Sequence, residues 1–248
     1  MKNIFKHKYR WFFILTMVII CLPIFAIVIL FNLPGPNFVI EPPRPHFWNY
    51  PSVNEARFKT EITHEGKLKI ELHHPILKGV TPEMLSWWYR NLASGKAVMK
   101  GVEYTYYHLF HLSEHGQTHI LSPATDGSSG MGVGAIVYRQ EKFGPYLSKG
   151  QARVEEFNNN GFVVTPIMGP LNFGKIKHVF KSVEAGTEYS VFTELGSDAP
   201  LIAPILNYYI THKQFAPDVV KEWIRHQVEE VGSLVHFLPT LYLEQHRH

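Results

Sequence analysis

The chain has a single cysteine, Cys21, among 248 residues. That excludes a disulfide framework and a thiolate metal site, so any metal must be held by His, Asp or Glu. Such a site also suits an oxidising compartment. Charge is missing altogether from residues 11–33, a run of 23 positions. A helix over that run is roughly 34 Å long at about 1.5 Å per residue, enough to cross a bilayer. It is too long for the apolar part of a signal peptide, and Phe31-Asn32-Leu33-Pro34 offers no small-residue cleavage site. It has no polar face, as a core helix packed at a surface would need.

A basic helix with interleaved aromatics is also lacking. Lys2, Lys6, Lys8 and Arg10 precede the apolar run, and no Lys or Arg follows until Arg44. Removing those four from the 24 Lys+Arg leaves 20 against 21 Asp+Glu, so the formal net charge of +3 becomes −1. The basicity therefore reports membrane topology and gives no ground for nucleic-acid binding. The expected organisation is a basic cytoplasmic tail at 1–10, a transmembrane anchor at 11–33 and a stiff linker with six prolines at 34–51. A single domain follows at 52–240, on the outer (periplasmic or extracellular) side, with a polar tail at 241–248. No internal repeat is present. Gly130-Met131-Gly132-Val133-Gly134 leads into a strand pattern, whereas a phosphate-binding loop opens a helix.

Alternating apolar and polar residues begin near Val53. Residues 58–62 and 67–72 flank His64-Glu65-Gly66 and predict a hairpin. Thr81 and Pro82 are a helix N-cap and first position, predicting a helix over about 81–92. Predicted strands cover 104–112, 118–121, 134–140, 151–157, 161–167, 175–183 and 187–195. A short helix over 203–213 and a long one over 217–237 follow. Strands followed by a terminal helix imply an α+β fold, an antiparallel sheet wrapped around the long C-terminal helix with a cavity between them.

His226 and Glu230 are four apart in the long helical stretch and so share one face, together with Trp223 and Leu234. That spacing alone says little, because 15 His and 18 Glu in a chain of this length give about one such match by chance. The apolar company is more telling: a buried carboxylate there needs a partner, and a metal is one. Glu229 is turned away by about 100° and is expected to face solvent. Read as a strand, residues 104–112 put Tyr107 and His111 on one face, with Tyr106, His108 and Phe110 on the other. His111 and His115 form an HxxxH, but Leu112 stands where a zincin needs glutamate.

Several stretches resemble the diacetylphloroglucinol hydrolase and phloretin hydrolase family of zinc-dependent C–C bond hydrolases. They are His74-Pro75-Ile76-Leu77-Lys78-Gly79-Val80-Thr81-Pro82-Glu83-Met84-Leu85-Ser86-Trp87-Trp88-Tyr89, Phe110-His111-Leu112-Ser113-Glu114-His115, Glu141-Lys142-Phe143-Gly144, and His226 to Gly232 continuing to Phe237-Leu238-Pro239. Together they span about residues 70–240. The resemblance implies a Bet v 1-like helix-grip domain holding Zn2+ through His111, Glu141, His226 and Glu230, with His115 the reserve for His111 and Glu155 or Glu156 for Glu141. In the family block, proline stands where this chain has Leu112, aspartate where it has Glu114, and tryptophan where it has Phe110. Tyr107 and Tyr104 are the implied donors to a developing oxyanion, Glu114 or His115 the proton shuttle, and Tyr189 a substrate contact. The implied substrate is an acylphenol or diketone. A noncatalytic grip domain binding an apolar lipid or aromatic molecule at the membrane is the alternative, since one cavity serves either purpose.

Overall fold

Period-two alternation builds most of the domain. The computed structural model describes residues 9–18, 21, 39, 42, 44–169, 171–199 and 202–246. The chain divides into two units, residues 1–37 with 199–202, and residues 38–198 with 203–248. In the first unit, residues 9–18 are helical and exposed. The remainder of the expected anchor, Cys21 apart, lies outside the described residues. Among the described residues no helix is long and apolar enough to cross a membrane.

The described residues of the second unit form twelve strands: β1 (Arg57–Ile62), β2 (Leu68–His73), β3 (Leu77–Lys78), β4 (Lys96–Met99), β5 (Val102–Thr105), β6 (His115–Ser122), β7 (Ile136–Phe143), β8 (Tyr146–Asn158), β9 (Gly161–Met168), β10 (Leu171–Asn172), β11 (Gly174–Val183) and β12 (Gly186–Leu195). Ten of them form one antiparallel sheet ordered β1-β2-β12-β11-β9-β8-β7-β6, with β10 on β9 and β3 on β12, while β4 and β5 form a separate ribbon. The hairpin expected around Gly66 joins β1 to β2, and Gly66 takes the left-handed φ of 76° that this turn requires. The helix Pro82–Asn91 starts as expected, with Thr81 Oγ1 accepting from the Met84 amide at 3.3 Å.

The long helix runs Pro217–Ser233, then tightens into a 3-10 turn, Leu234–His236. A further helix, Leu238–Gln245, takes in most of the stretch expected as a polar tail, because Leu238 and Leu241 are buried. The short helix Ala203–Tyr209 passes into a π-helical turn, Ile210–Gln214. Trp223, His226, Glu230, Val231 and Leu234 are all buried, as one face of a helix lying in the grip of a sheet should be. The helix-grip arrangement expected from the sequence is thus the one observed.

One element differs in kind. Residues 104–112 are not a continuous strand. β5 ends at Thr105, whose Oγ1 accepts from the His108 amide at 3.1 Å and caps a five-residue helix, Tyr106–Phe110. A capping side chain offers the backbone an alternative to the sheet ladder, and here it wins over the β-preference of the aromatic residues. The face assignment that grouped Tyr107 with His111 lapses with the strand.

Candidate metal centre

Register and helix periodicity bring four side chains together. His115, the first residue of β6, pairs directly with Glu141 of β7. Across the domain interior, one face of the Pro217–Ser233 helix presents His226 and Glu230. His115 Nε2 lies 3.1 Å from His226 Nε2 and 3.1 Å from Glu230 Oε2. His226 Nε2 is 3.6 Å from Glu230 Oε2 and 3.8 Å from Glu141 Oε2, and His115 Nε2 is 3.7 Å from that same Glu141 oxygen. All four residues are buried.

The outward atoms of these groups are already engaged. His115 Nδ1 donates to the Tyr107 carbonyl at 2.6 Å, since a carbonyl oxygen only accepts. His226 Nδ1 lies 2.8 Å from Glu114 Oε2. Glu114 also accepts from Arg225 Nη2 at 2.7 and 2.9 Å and from the Gly144 amide at 3.0 Å. Gly144 turns β7 into β8 with φ 58°, and a Cβ there would meet the Glu222 carboxylate. Glu230 Oε1 accepts from Gln227, Glu141 Oε1 pairs with Arg139, and Glu141 Oε2 accepts from the Tyr107 hydroxyl at 3.0 Å. Tyr107 stacks flat on His115 at 4.0 Å between centroids.

With Nδ1 protonated on both rings, two neutral imidazoles turn lone pairs toward each other across 3.1 Å, beside two carboxylate oxygens. That arrangement needs a positive charge at its centre. Without a metal, a proton on His226 serves. Burial alone would lower the pKa of that ring, but hydrogen bonds to Glu114 and Glu230 outweigh burial and raise it. Burial lowers His115, which stays the neutral partner. Burial pushes Glu230 up, yet its bonds to His115 and His226 hold it down at about 2. His115, His226 and Glu230 bring ligand atoms within 4.8 Å of one another, with Glu141 Oε2 3.7 and 3.8 Å from the two rings, and imidazoles with carboxylates are a donor set that zinc accepts. The residues fit a metal on this ground.

Of the residues expected as ligands, His226 and Glu230 lie together with His115, the reserve for His111, and Glu141 lies beside the rings of His115 and His226. His111 Nε2 bonds Glu229 Oε2 at 3.1 Å, Nδ1 lies 3.4 Å from the Tyr50 hydroxyl, and the ring stacks on His226 at 4.5 Å. His111, Glu114 and His226 also approach one another. The Arg225 guanidinium already supplies the cation there, bonding Glu114 and Glu229. Glu229 is therefore paired and half-buried rather than turned to solvent; burial raises its carboxyl pKa.

Glu114, expected as a proton shuttle, lies behind His226, bonded to its Nδ1 and to Arg225. Its carboxyl is held below its ordinary value: burial opposes this, and the His226 bond and the charges of His226 and Arg225 prevail. His115, the other expected shuttle, belongs to the converging set. Tyr104 packs beneath the Arg44 guanidinium and edge-on to Phe47, with no described contact to the four. Tyr189 does face the interior, and its hydroxyl bonds Tyr89 and His178. Glu155 pairs with Arg153 along β8 and takes no part. Sequence reasoning passed over Arg139 and Gln227. Their signals were present, Arg139 two residues from Glu141 on one strand face and Gln227 three from Glu230 on the helix.

No family model and no curated protein matches the chain. Several solved structures are similar in fold. The KanY protein (ms6282) is 11% identical, with 77% of this chain and 99% of that one covered and a TM-score of 0.42. Ara h 8.0201 is 10% identical, covers 75% and 99%, and scores 0.43. A START superfamily protein from Mycobacterium smegmatis is 11% identical, covers 74% and 98%, and scores 0.43. At such distances no residue of theirs is carried to this chain, and none of these comparisons links it to the hydrolase family.

Proposed function

We propose that the domain is a zinc-dependent hydrolase that cleaves the C–C bond joining an acyl group to a phenolic or other ketonic carbon. The observation that carries this reading is the close group of His115, His226 and Glu230, with Glu141 beside both rings and the outer atoms of the histidines and of Glu230 committed elsewhere. The resemblance noted in the sequence narrows the chemistry to an acyl–carbon bond. In such a cleavage one water is consumed: the acyl group leaves as a carboxylic acid and the ring carbon gains a proton.

A divalent cation held by His115, His226 and Glu230, with Glu141 beside them, would supply Lewis acidity toward a carbonyl oxygen and activation of the attacking water. The chain's own residues do the rest. Tyr107 keeps its proton, because burial raises its pKa, and its hydroxyl can turn from Glu141 toward a developing oxyanion. Arg139 balances Glu141, while Arg225 and Glu114 fix the ring of His226. Incubation of the purified full chain with an acylphloroglucinol should yield the carboxylic acid and the deacylated ring. No product from protein shown to contain zinc would refute catalysis.

A second reading, noncatalytic binding of an apolar or aromatic molecule, is favoured by the aromatic packing of Tyr89, Phe162, Phe180 and Tyr189 inside the grip. Retention of an aromatic ligand by metal-free protein, without turnover under any metal, would select it. We further infer a membrane anchor at residues 11–33 with the domain on the outer side, on the charge-free run and the four cations before it. Protease added to intact cells should then remove the domain; full protection would contradict this topology.

A further inference from the structure

The sheet's inward face follows from its register. Glu141 pairs with Ser148, Ala152 with Pro166, His178 with Phe162 and Val191, and Val191 in turn with Leu72. Two residues beyond Leu72, the chain sends His74 to the same side. Away from the four converging groups, the polar residues of this face include His74, His178, Tyr189 and Thr193.

Thr193 Oγ1 has no hydrogen-bond partner among the described residues, and His74 stands out further. It is 8% exposed, and neither ring nitrogen has a hydrogen-bond partner. Its ring lies against Tyr189, centroids 5.0 Å apart and planes 28° apart. The Tyr189 hydroxyl is bonded at 2.6 Å both to Tyr89 and to His178 Nδ1. Two buried nitrogens without a partner in the chain cost free energy, unless the position receives a partner that is not part of the chain.

We propose that His74, backed by the Tyr189–Tyr89–His178 chain, is a binding subsite for the hydroxyl group of a neutral aromatic ligand. A neutral imidazole presents one donor and one acceptor, and a hydroxyl presents the same pair in complement. Burial drops the His74 pKa to about 3, so the ring carries no charge near neutrality. The Glu230 charge is felt at His74, His178 and Tyr189 alike, which disfavours an anionic ligand. Tyr89, Phe162 and Phe180 pack against one another, and Tyr89 against His178, so the surroundings of this chain of hydroxyls are aromatic. This subsite deepens the proposed function and rests on its reading of the interior as the ligand chamber, not on the metal.

The test uses phenol and toluene as paired probes, with binding to the full chain followed by ligand-observed NMR. Wild type should bind phenol more tightly than toluene. His74→Phe, which keeps the stack on Tyr189, should weaken phenol about tenfold and leave toluene unchanged. His74→Gln retains a donor and an acceptor and should recover phenol to within about threefold of wild type. The inference is overturned if wild type does not prefer phenol, if His74→Phe weakens both probes equally, or if it weakens neither. His226→Ala separates the two claims: loss of zinc with phenol preference retained upholds the subsite and the metal centre together. Zinc retained in that variant refutes the metal centre without touching the subsite.

Discussion

Glu114→Gln is the most informative single change outside the four converging residues. Glu114 accepts from Arg225 Nη2 at 2.7 and 2.9 Å, from the Gly144 amide at 3.0 Å and from His226 Nδ1 at 2.8 Å. Glutamine has nearly the same shape, but one of its two terminal atoms donates. Turned so that its oxygen meets His226, it sets an amide NH2 against the Gly144 amide and loses the charge facing Arg225. Hydrogen bonds to charged groups contribute about 1.5–3 kcal/mol each, and breaking a buried ion pair costs about 3–5 kcal/mol. Arg225 is partly exposed and keeps Glu222 and Glu229, so a loss of about 2–3 kcal/mol in stability is expected. The larger effect is on the metal. A carboxylate behind a ligating histidine fixes its tautomer, and losing it typically lowers metal affinity about 10- to 100-fold. Zinc titration against a competing chelator reads the affinity, and urea denaturation reads the stability. Unchanged zinc affinity together with lowered stability would show that the bond to His226 Nδ1 does not position that ring, and the reasoning would fail.

Other outcomes follow from the same geometry. His115→Ala should lower zinc affinity more than 100-fold while His111→Ala changes it less than tenfold; the reverse order would restore His111 as the ligand. Tyr107→Phe should retain zinc and reduce kcat roughly 100-fold, the scale of losing one oxyanion donor; an unchanged kcat would remove Tyr107 from the chemistry. Stability should fall as pH falls below about 6.5. His74 and His178 have pKa values depressed to about 3 by burial, so the unfolded chain takes up their protons first. Their contribution is complete above the unfolded value and lost progressively toward pH 3, at about 2 kcal/mol each by pH 5. In His74→Phe, urea denaturation from pH 8 to pH 5 should show a loss about 2 kcal/mol smaller than in wild type, and an unaltered slope would contradict the assignment.

The terminal helix and the hairpins were legible because their periodicities are local: Trp223, His226, Glu230 and Leu234 mark one helix face without reference to anything else. Thr81 and Pro82 marked a helix start for the same reason. The choice between His111 and His115 was not legible. Both precede the β7 pattern by plausible distances, and only the pairing across β6 and β7 brings His115 beside Glu141. The five-residue helix after Thr105 was hidden by a sequence rich in tyrosine, which reads equally well as strand. Glu114 looked like a proton shuttle because a glutamate beside histidines suggests one. Its bond to Arg225, 111 residues away, is one that no spacing rule predicts.

Metal content by plasma mass spectrometry tests the central claim most directly. The account predicts about one zinc per full-length chain, and loss of that zinc in His226→Ala with the fold retained by circular dichroism. A wild-type chain that stays metal-free after exposure to zinc, or a His226→Ala variant that still carries one zinc per chain, would contradict it.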